Sequence, residues 1–179
     1  MRILFSETNR LTQDIRDIEY PDALKRIETD NKLFELIELY NQNAFIRVYF
    51  DIDCYQTENP LENVLEIINN HFQTSNEDWA ICDGSREGKW SYHILSRKYK
   101  ITIRKLRHIL MKCNKMNPSF DYSCICISMQ SIDENTFLRF PNQSKDSIQG
   151  KYGPPMKVIQ GNLSDFFVTQ TENLEEWKI

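Results

Sequence analysis

The stretch Phe45-Ile46-Arg47-Val48-Tyr49-Phe50-Asp51-Ile52-Asp53 decides how the rest of the chain is read. It is a run of β-branched and aromatic residues, which predicts a strand, and it ends on two carboxylates spaced i, i+2. Residues two apart on a strand share a face, with Cα atoms about 6.5–7 Å apart. Asp51 and Asp53 therefore lean toward one point, while Ile52 turns into the core. Like charges set side by side repel unless a cation joins them. Hard divalent ions such as magnesium or manganese take carboxylate oxygens, so a metal ion is the simplest cation to expect. Taken alone, the pair favours two solvated aspartates opening a turn.

The flanks give that strand a setting. After it, Asn59, Pro60 and Glu62 form a helix-start signal with a capping-box pattern, and Leu61, Val64, Leu65, Ile68 and Phe72 make a buried stripe. A strand, then acids, then a helix puts the carboxylates at the strand's carboxyl end, where sites in open sheets are common. Trp79-Ala80-Ile81-Cys82 predicts a second short strand. It runs into the polar turn Asp83-Gly84-Ser85-Arg86-Glu87-Gly88-Lys89, and Trp90 to Leu95 resumes as a strand, so a β-hairpin is expected. In that strand Trp90, Tyr92 and Ile94 face one way, and Ser91, His93 and Leu95 the other.

Ile101 to Cys113 reads as a basic amphipathic helix, with Ile103, Leu106, Ile109 and Leu110 inward and Arg104, Lys105, Arg107 and Lys112 outward. A solvated face is the default for such a charge run, with nucleic-acid contact as the functional option. Further strands are expected at Cys124–Met129 and near Val158-Ile159, with Phe137-Leu138-Arg139-Phe140 following the first of them without an assigned element. Glu172 to Ile179 is expected to be a helical turn or a frayed end. Residues 1–44 read as a mainly helical, peripheral segment, with Pro21 opening one piece and Leu33, Phe34, Leu36, Ile37 and Leu39 at helical spacing in another.

Composition bounds the rest. The 179 residues suit one domain with a real core, and the hydrophobic share of 40% with 27% charged residues is ordinary for a globular chain. A net charge of −4 means that nucleic-acid binding would have to rest on a local patch. The five cysteines are scattered without a Cys-x-x-Cys pair, which predicts free thiols in a reducing compartment and no zinc cluster. No apolar run approaches a membrane span, and the expectation is a soluble intracellular protein.

Chemistry can be carried by three stations: Asp51 with Asp53; the Lys89-Trp90-Ser91-Tyr92-His93 strand; and the stretch from Asp133 to Lys145. Ser91 and His93 share a face, so a hydroxyl and an imidazole can enter one groove. Ser85, Arg86 and Lys89 just ahead of them are the donors a phosphate chain would meet. A solvated hairpin loop explains the same residues singly.

Their order is more telling. An acid pair, then Lys-x-Ser-x-His, then a further acid, then Arg139 six residues ahead of Lys145 resembles the archaeo-eukaryotic primase superfamily. Leu138-Arg139-Phe140-Pro141-Asn142-Gln143-Ser144-Lys145 looks like the Arg…Ser-Lys segment of primase-polymerases and of primase domains of large nucleocytoplasmic DNA viruses. Asp83-Gly84-Ser85-Arg86 to His93, and Val158 to Thr169, also fit that viral group. The resemblance covers residues 45–170. It implies an α/β (α+β) fold, with an RRM- or ferredoxin-like sheet faced by helices and a smaller α/β unit carrying part of the nucleotide site.

The resemblance also assigns roles. Asp51 and Asp53 would be metal ligands for two magnesium or manganese ions, with Asp133 as third ligand, Glu134 as substitute and Asp121 behind both. Ser91, His93 and Lys89 would meet the triphosphate, and Arg139 and Lys145 would hold the incoming NTP or dNTP. The implied activity is nucleotidyl transfer on single-stranded DNA in replication, beside a replicative helicase, in host cytoplasm or a viral replication compartment. Arg104, Lys105 and Arg107 are the candidate template surface.

Three other readings compete. A metal-dependent glycosyltransferase explains Asp51 and Asp53 but gives the later residues no joint role. A haloacid-dehalogenase-type phosphatase would need a small or hydroxyl residue where Cys54-Tyr55 stands. A non-catalytic replication accessory domain would keep the scaffold and use its acids structurally.

Overall fold

In a computed structural model, the chain is described at residues 2–6, 16–29, 34–38, 41–121, 135–143 and 155–178. In chain order the strands are β1 (Arg2–Ser6), β2 (Arg16–Glu19), β3 (Phe34–Glu38), β4 (Phe45–Cys54), β5 (Trp79–Asp83), β6 (Trp90–Thr102), β7 (Phe120–Asp121), β8 (Asn135–Arg139), β9 (Lys157–Gln160) and β10 (Glu175–Glu176). The helices are α1 (Tyr20–Arg26), α2 (Leu61–Phe72) and α3 (Ile103–Met116). The architecture is mixed α+β. One sheet runs β7-β4-β6-β5-β9, antiparallel throughout, with β10 added in parallel to β6. The other runs β2-β1-β3-β8.

From β4 to β7 the elements follow as strand, α2, strand, strand, α3, strand, with β4 and β6 at the centre. The quoted stretch becomes β4, and its pairing with β6 shows why. Phe50 lies opposite Ile94 and Ile52 opposite Tyr92, so the apolar parity of both strands falls on one face. On that face Phe50 meets Phe72 of α2, Trp79 and Phe120 edge-on, with ring centroids 5.5–6.0 Å apart. Each such pair adds about 0.5–1.5 kcal/mol beyond area burial. α3 lays Leu106, Ile109 and Leu110 into the same core. The other parity, Asp51 opposite His93 and Asp53 opposite Ser91, lies on the opposite face.

Local signals explain the element ends. Asn59 Oδ1 accepts the Leu61 N–H at 3.0 Å, but Pro60 rather than Asn59 takes the N-cap position, without the side-chain capping box expected with Glu62. The hairpin strand is longer than expected, Trp90–Thr102, and α3 starts two residues later than predicted. The Thr102 hydroxyl sets that start by accepting the Lys105 N–H. The C-terminal stretch, expected as a helical turn, instead pairs Glu175 and Glu176 with Tyr99 and Lys100 of β6.

The N-terminal segment corrects the sequence reading. Pro21 does open a helix, α1, but the segment also contributes three strands, and the run around Leu36 is β3 rather than helix. Glu35 and Ile37 are its buried pair, a two-residue period. β3 pairs with β8 about a hundred residues away, Phe34 opposite Arg139 and Glu38 opposite Asn135. The predicted strand Cys124–Met129 lies outside the described residues.

A buried polar clamp joins the two sheets. Glu35, wholly buried, accepts the Val168 N–H at 2.7 Å and both the N–H and hydroxyl of Thr169 at 2.8 and 2.6 Å. Arg47 donates to the carbonyls of Phe167, Ser96 and Gln170 at 3.1, 2.7 and 3.3 Å. Burial pushes the Glu35 pKa up against these donors and pulls the Arg47 pKa down. Satisfied this fully, the pair fixes the smaller sheet against β4 and β6.

Candidate nucleotide and metal site

The site grows from strand parity. On the face of β4 away from α2, Asp51 stands between two cross-strand neighbours, His93 on β6 and Asp121 on β7. Directly opposed residues of antiparallel strands have Cβ atoms about 4.5–5.5 Å apart, so these three side chains form one row. His93 Nε2 lies 3.6 Å from Asp51 Oδ1, with the imidazole buried and the carboxylate half-buried. The next row holds Asp53 and Ser91.

The hairpin supplies the cation. The Arg86 and Lys89 backbones exchange two hydrogen bonds of 2.9 Å, and Gly88 takes φ +75, which glycine adopts without a Cβ penalty. That turn brings Lys89 Nζ to 2.6 Å from Asp53 Oδ2. Burial opposes the ammonium charge, but the bond to Asp53, with a smaller contribution from Tyr55, outweighs it and holds the Lys89 pKa above its ordinary value. Ser85 belongs to the scaffold. Its N–H donates to Asp83 Oδ1 at 2.7 Å, and its Oγ accepts the Ser91 N–H at 3.0 Å. Arg86 is exposed at the turn.

Arg139 arrives from the other sheet. A Cβ on Gly84 would sit 3.0 Å from Arg139 Nη2 and 3.1 Å from Met156, so glycine at 84 is what lets the guanidinium lie across the hairpin's base. Burial lowers the Arg139 pKa, and the carboxylates of Asp51 and Asp53 act the other way. Cys82, opposite His93, is buried and its thiol pKa is pushed up, so it is a packing group here. Beyond Arg139 the chain is pinned to the end of α1: Asn142 and Gln143 donate to Ile27 O at 3.1 and 3.3 Å, and Gln143 to Thr29 O at 2.8 Å.

The structure thus brings together Asp51, Asp53, Lys89, Ser91, His93 and Arg139 of the residues singled out from sequence. Asp133, Glu134 and Lys145 lie outside the described residues. Arg104, Lys105 and Arg107 do not join the group. They occupy the first turns of α3, where Arg104 N–H donates to Gln42 O, Ile103 N–H to Ala44 O and Arg107 to Gln42 Oε1, beside the start of β4. Eight residue steps along β4 take the chain from Phe45 to Asp53, about 26 Å at the rise of a strand.

Asp121, ranked last among the candidate third acids, is the described carboxylate beside Asp51. The signal that could have raised it was Phe120-Asp121 as a two-residue strand pairing with the motif strand, which sequence spacing does not reveal.

The donor chemistry fits a hard divalent ion: carboxylate oxygens on one face, with a cation already drawn to Asp53. As the side chains stand, no group of three or more His, Cys, Asp or Glu residues among the described residues is arranged to hold a metal. Among the same residues no helix is long and apolar enough to cross a membrane. No protein-family model and no curated protein sequence matches this chain.

Proposed function

We propose that the chain is a template-dependent nucleotidyltransferase of the primase-polymerase kind, joining an NTP or dNTP to a strand paired with single-stranded DNA. The observation that carries this reading is the meeting, on one sheet face, of Asp51 and Asp53 with Lys89, Ser91 and His93, under Arg139 from the second sheet. The strand order β7-β4-β6-β5, built as strand, helix, strand, strand, helix, strand, also supports it. That is the ferredoxin-like succession the resemblance implies. The second sheet, whose β8 carries Arg139, is read here as the smaller unit that the resemblance implies.

In this reading Asp51 and Asp53 hold divalent magnesium or manganese with a third carboxylate, Asp133 by the sequence pattern or Asp121 by its place beside Asp51. When bound, such ions stabilise charge on the attacking 3′-oxygen and on the leaving group. Lys89, His93 and Arg139 bind the triphosphate and offset its charge. The 3′-oxygen bonds to the α-phosphorus, the bond to the bridging β-phosphate oxygen breaks, pyrophosphate leaves and the hydroxyl proton passes to water. His93 acts as a donor to phosphate rather than as a base. The basic face of α3 contacts template phosphates well away from the chemistry.

Equilibrium binding tests the assignment. A dNTP with manganese should bind the parent protein, Arg139→Ala should weaken it about tenfold or more, and Asp51→Asn with Asp53→Asn should remove its metal dependence. Charge-assisted contacts of this kind are worth about 1.5–3 kcal/mol each. Unchanged metal-dependent binding in the double variant would leave a scaffold whose acids are structural.

A further inference from the structure

We propose that Tyr55 is a stacking platform for an unpaired nucleobase at the lip of the site; this rests on the nucleotide-binding reading above. Large apolar side chains with wide exposure among the described residues are Phe45, Tyr55, Met111, Met116 and Ile159. Tyr55 is the one next to the carboxylates, and at 74% it is the most exposed of them. It stands two residues after Asp53, just past the end of β4, with its ring beside Lys89.

Its mount is fixed rather than loose. The Trp90 indole donates to the Gln56 carbonyl at 3.2 Å, and Gln56 N–H to Cys54 Sγ at 3.5 Å, which ties the loop to both strands of the site. Lys89 Nζ lies 5.3 Å from the Tyr55 ring centroid while bonded to Asp53. One ammonium therefore touches both the carboxylate and the aromatic ring. A ligand that puts phosphate on Lys89 and a flat apolar ring on Tyr55 satisfies both at once, and a nucleotide has those two parts. Stacking on an exposed aromatic tolerates any base, because each has a π-face. Tyr55 is then a base-positioning residue shared by all four nucleotides. The base belongs either to the incoming nucleotide or to the strand, and the same ring chemistry serves both.

Four probes with the full chain separate the cases: a dNTP, inorganic tripolyphosphate, a short single-stranded homopolymer and an abasic strand of equal length. Fluorescence or calorimetric titration is run on the parent, Tyr55→Ala, Tyr55→Phe and Tyr55→Trp. The expected result is a loss of about tenfold in Tyr55→Ala for the dNTP or for the homopolymer, with Phe and Trp retaining affinity. Tripolyphosphate and abasic strand should bind all four alike. A loss on the dNTP assigns the base to the incoming nucleotide, and a loss on the homopolymer assigns it to the strand. Equal losses on base-containing and base-free probes would overturn the inference, since the ring would then act only through Lys89. Unchanged affinity for all probes in Tyr55→Ala would also overturn it and leave the nucleotide site standing. No binding of dNTP or tripolyphosphate by the parent protein would defeat that site reading and this inference together.

Discussion

The ammonium of Lys89, 2.6 Å from Asp53 Oδ2, occupies a position that a divalent ion would also seek. Two cations cannot share that oxygen at full strength, so a metal taken by Oδ2 would displace Lys89. On the proposed reading, a bound triphosphate would give it a new anion close by. A half-buried pair of this type is worth no more than about 1 kcal/mol, a few-fold in affinity. Lys89→Met is therefore expected to raise manganese affinity a few-fold in the absence of nucleotide and to lower nucleotide affinity in its presence. Manganese titration followed by electron paramagnetic resonance checks the first half. Equal or weaker manganese binding would show that Lys89 does not compete for the site. Much of this residue scale was legible in the sequence, because strand parity alone puts Asp51, Asp53, Ser91 and His93 on matching faces. Asp121 was not legible, because its place depends on the β4–β7 register.

At the scale of elements, the C-terminal segment is coupled to α2 through rings. Trp177 packs against Phe72 at 4.8 Å and His71 at 5.4 Å between centroids, and Trp177 N–H donates to Lys100 O beside the β10 pairing. Burial, with the charge of Lys112, holds the His71 pKa below its ordinary value. A histidine whose folded pKa is depressed contributes stability that is present above the unfolded value of about 6.5 and is lost as pH falls toward the folded pKa. Acidification from pH 7.5 to 5.5 should therefore loosen this contact, seen as a change in tryptophan emission and a lower Tm. His71→Phe should flatten that dependence, and a His71→Phe protein with the parent's acid response would contradict the assignment. The elements also show where sequence reading fails. Leu33 to Leu39 fits helical and strand periods alike over so short a run, and β8 decided the outcome by offering Phe34–Glu38 a partner. A buried glutamate at Glu35 makes sense only once Val168 and Thr169 are seen to donate to it.

At the scale of the molecule, the two sheets divide the labour. The sheet centred on β4 and β6 holds the carboxylates, the imidazole and the hairpin lysine, and the smaller sheet brings Arg139 across Gly84. The Glu35 and Arg47 clamp keeps these parts in register far from the chemistry, so the site should be preorganised before any ligand arrives. The mixed fold was legible from alternating strand and helix signals. The strands contributed by the first forty residues were not, since they complete a sheet with β8, about a hundred residues later. The most direct measurement is nucleotide incorporation on a single-stranded DNA template, with and without primer, in magnesium or manganese, with NTPs and dNTPs. The account predicts metal-dependent product that disappears in Asp51→Asn and Asp53→Asn proteins that remain folded. Absence of product under every metal and nucleotide condition, or equal product from the two variants, would contradict it.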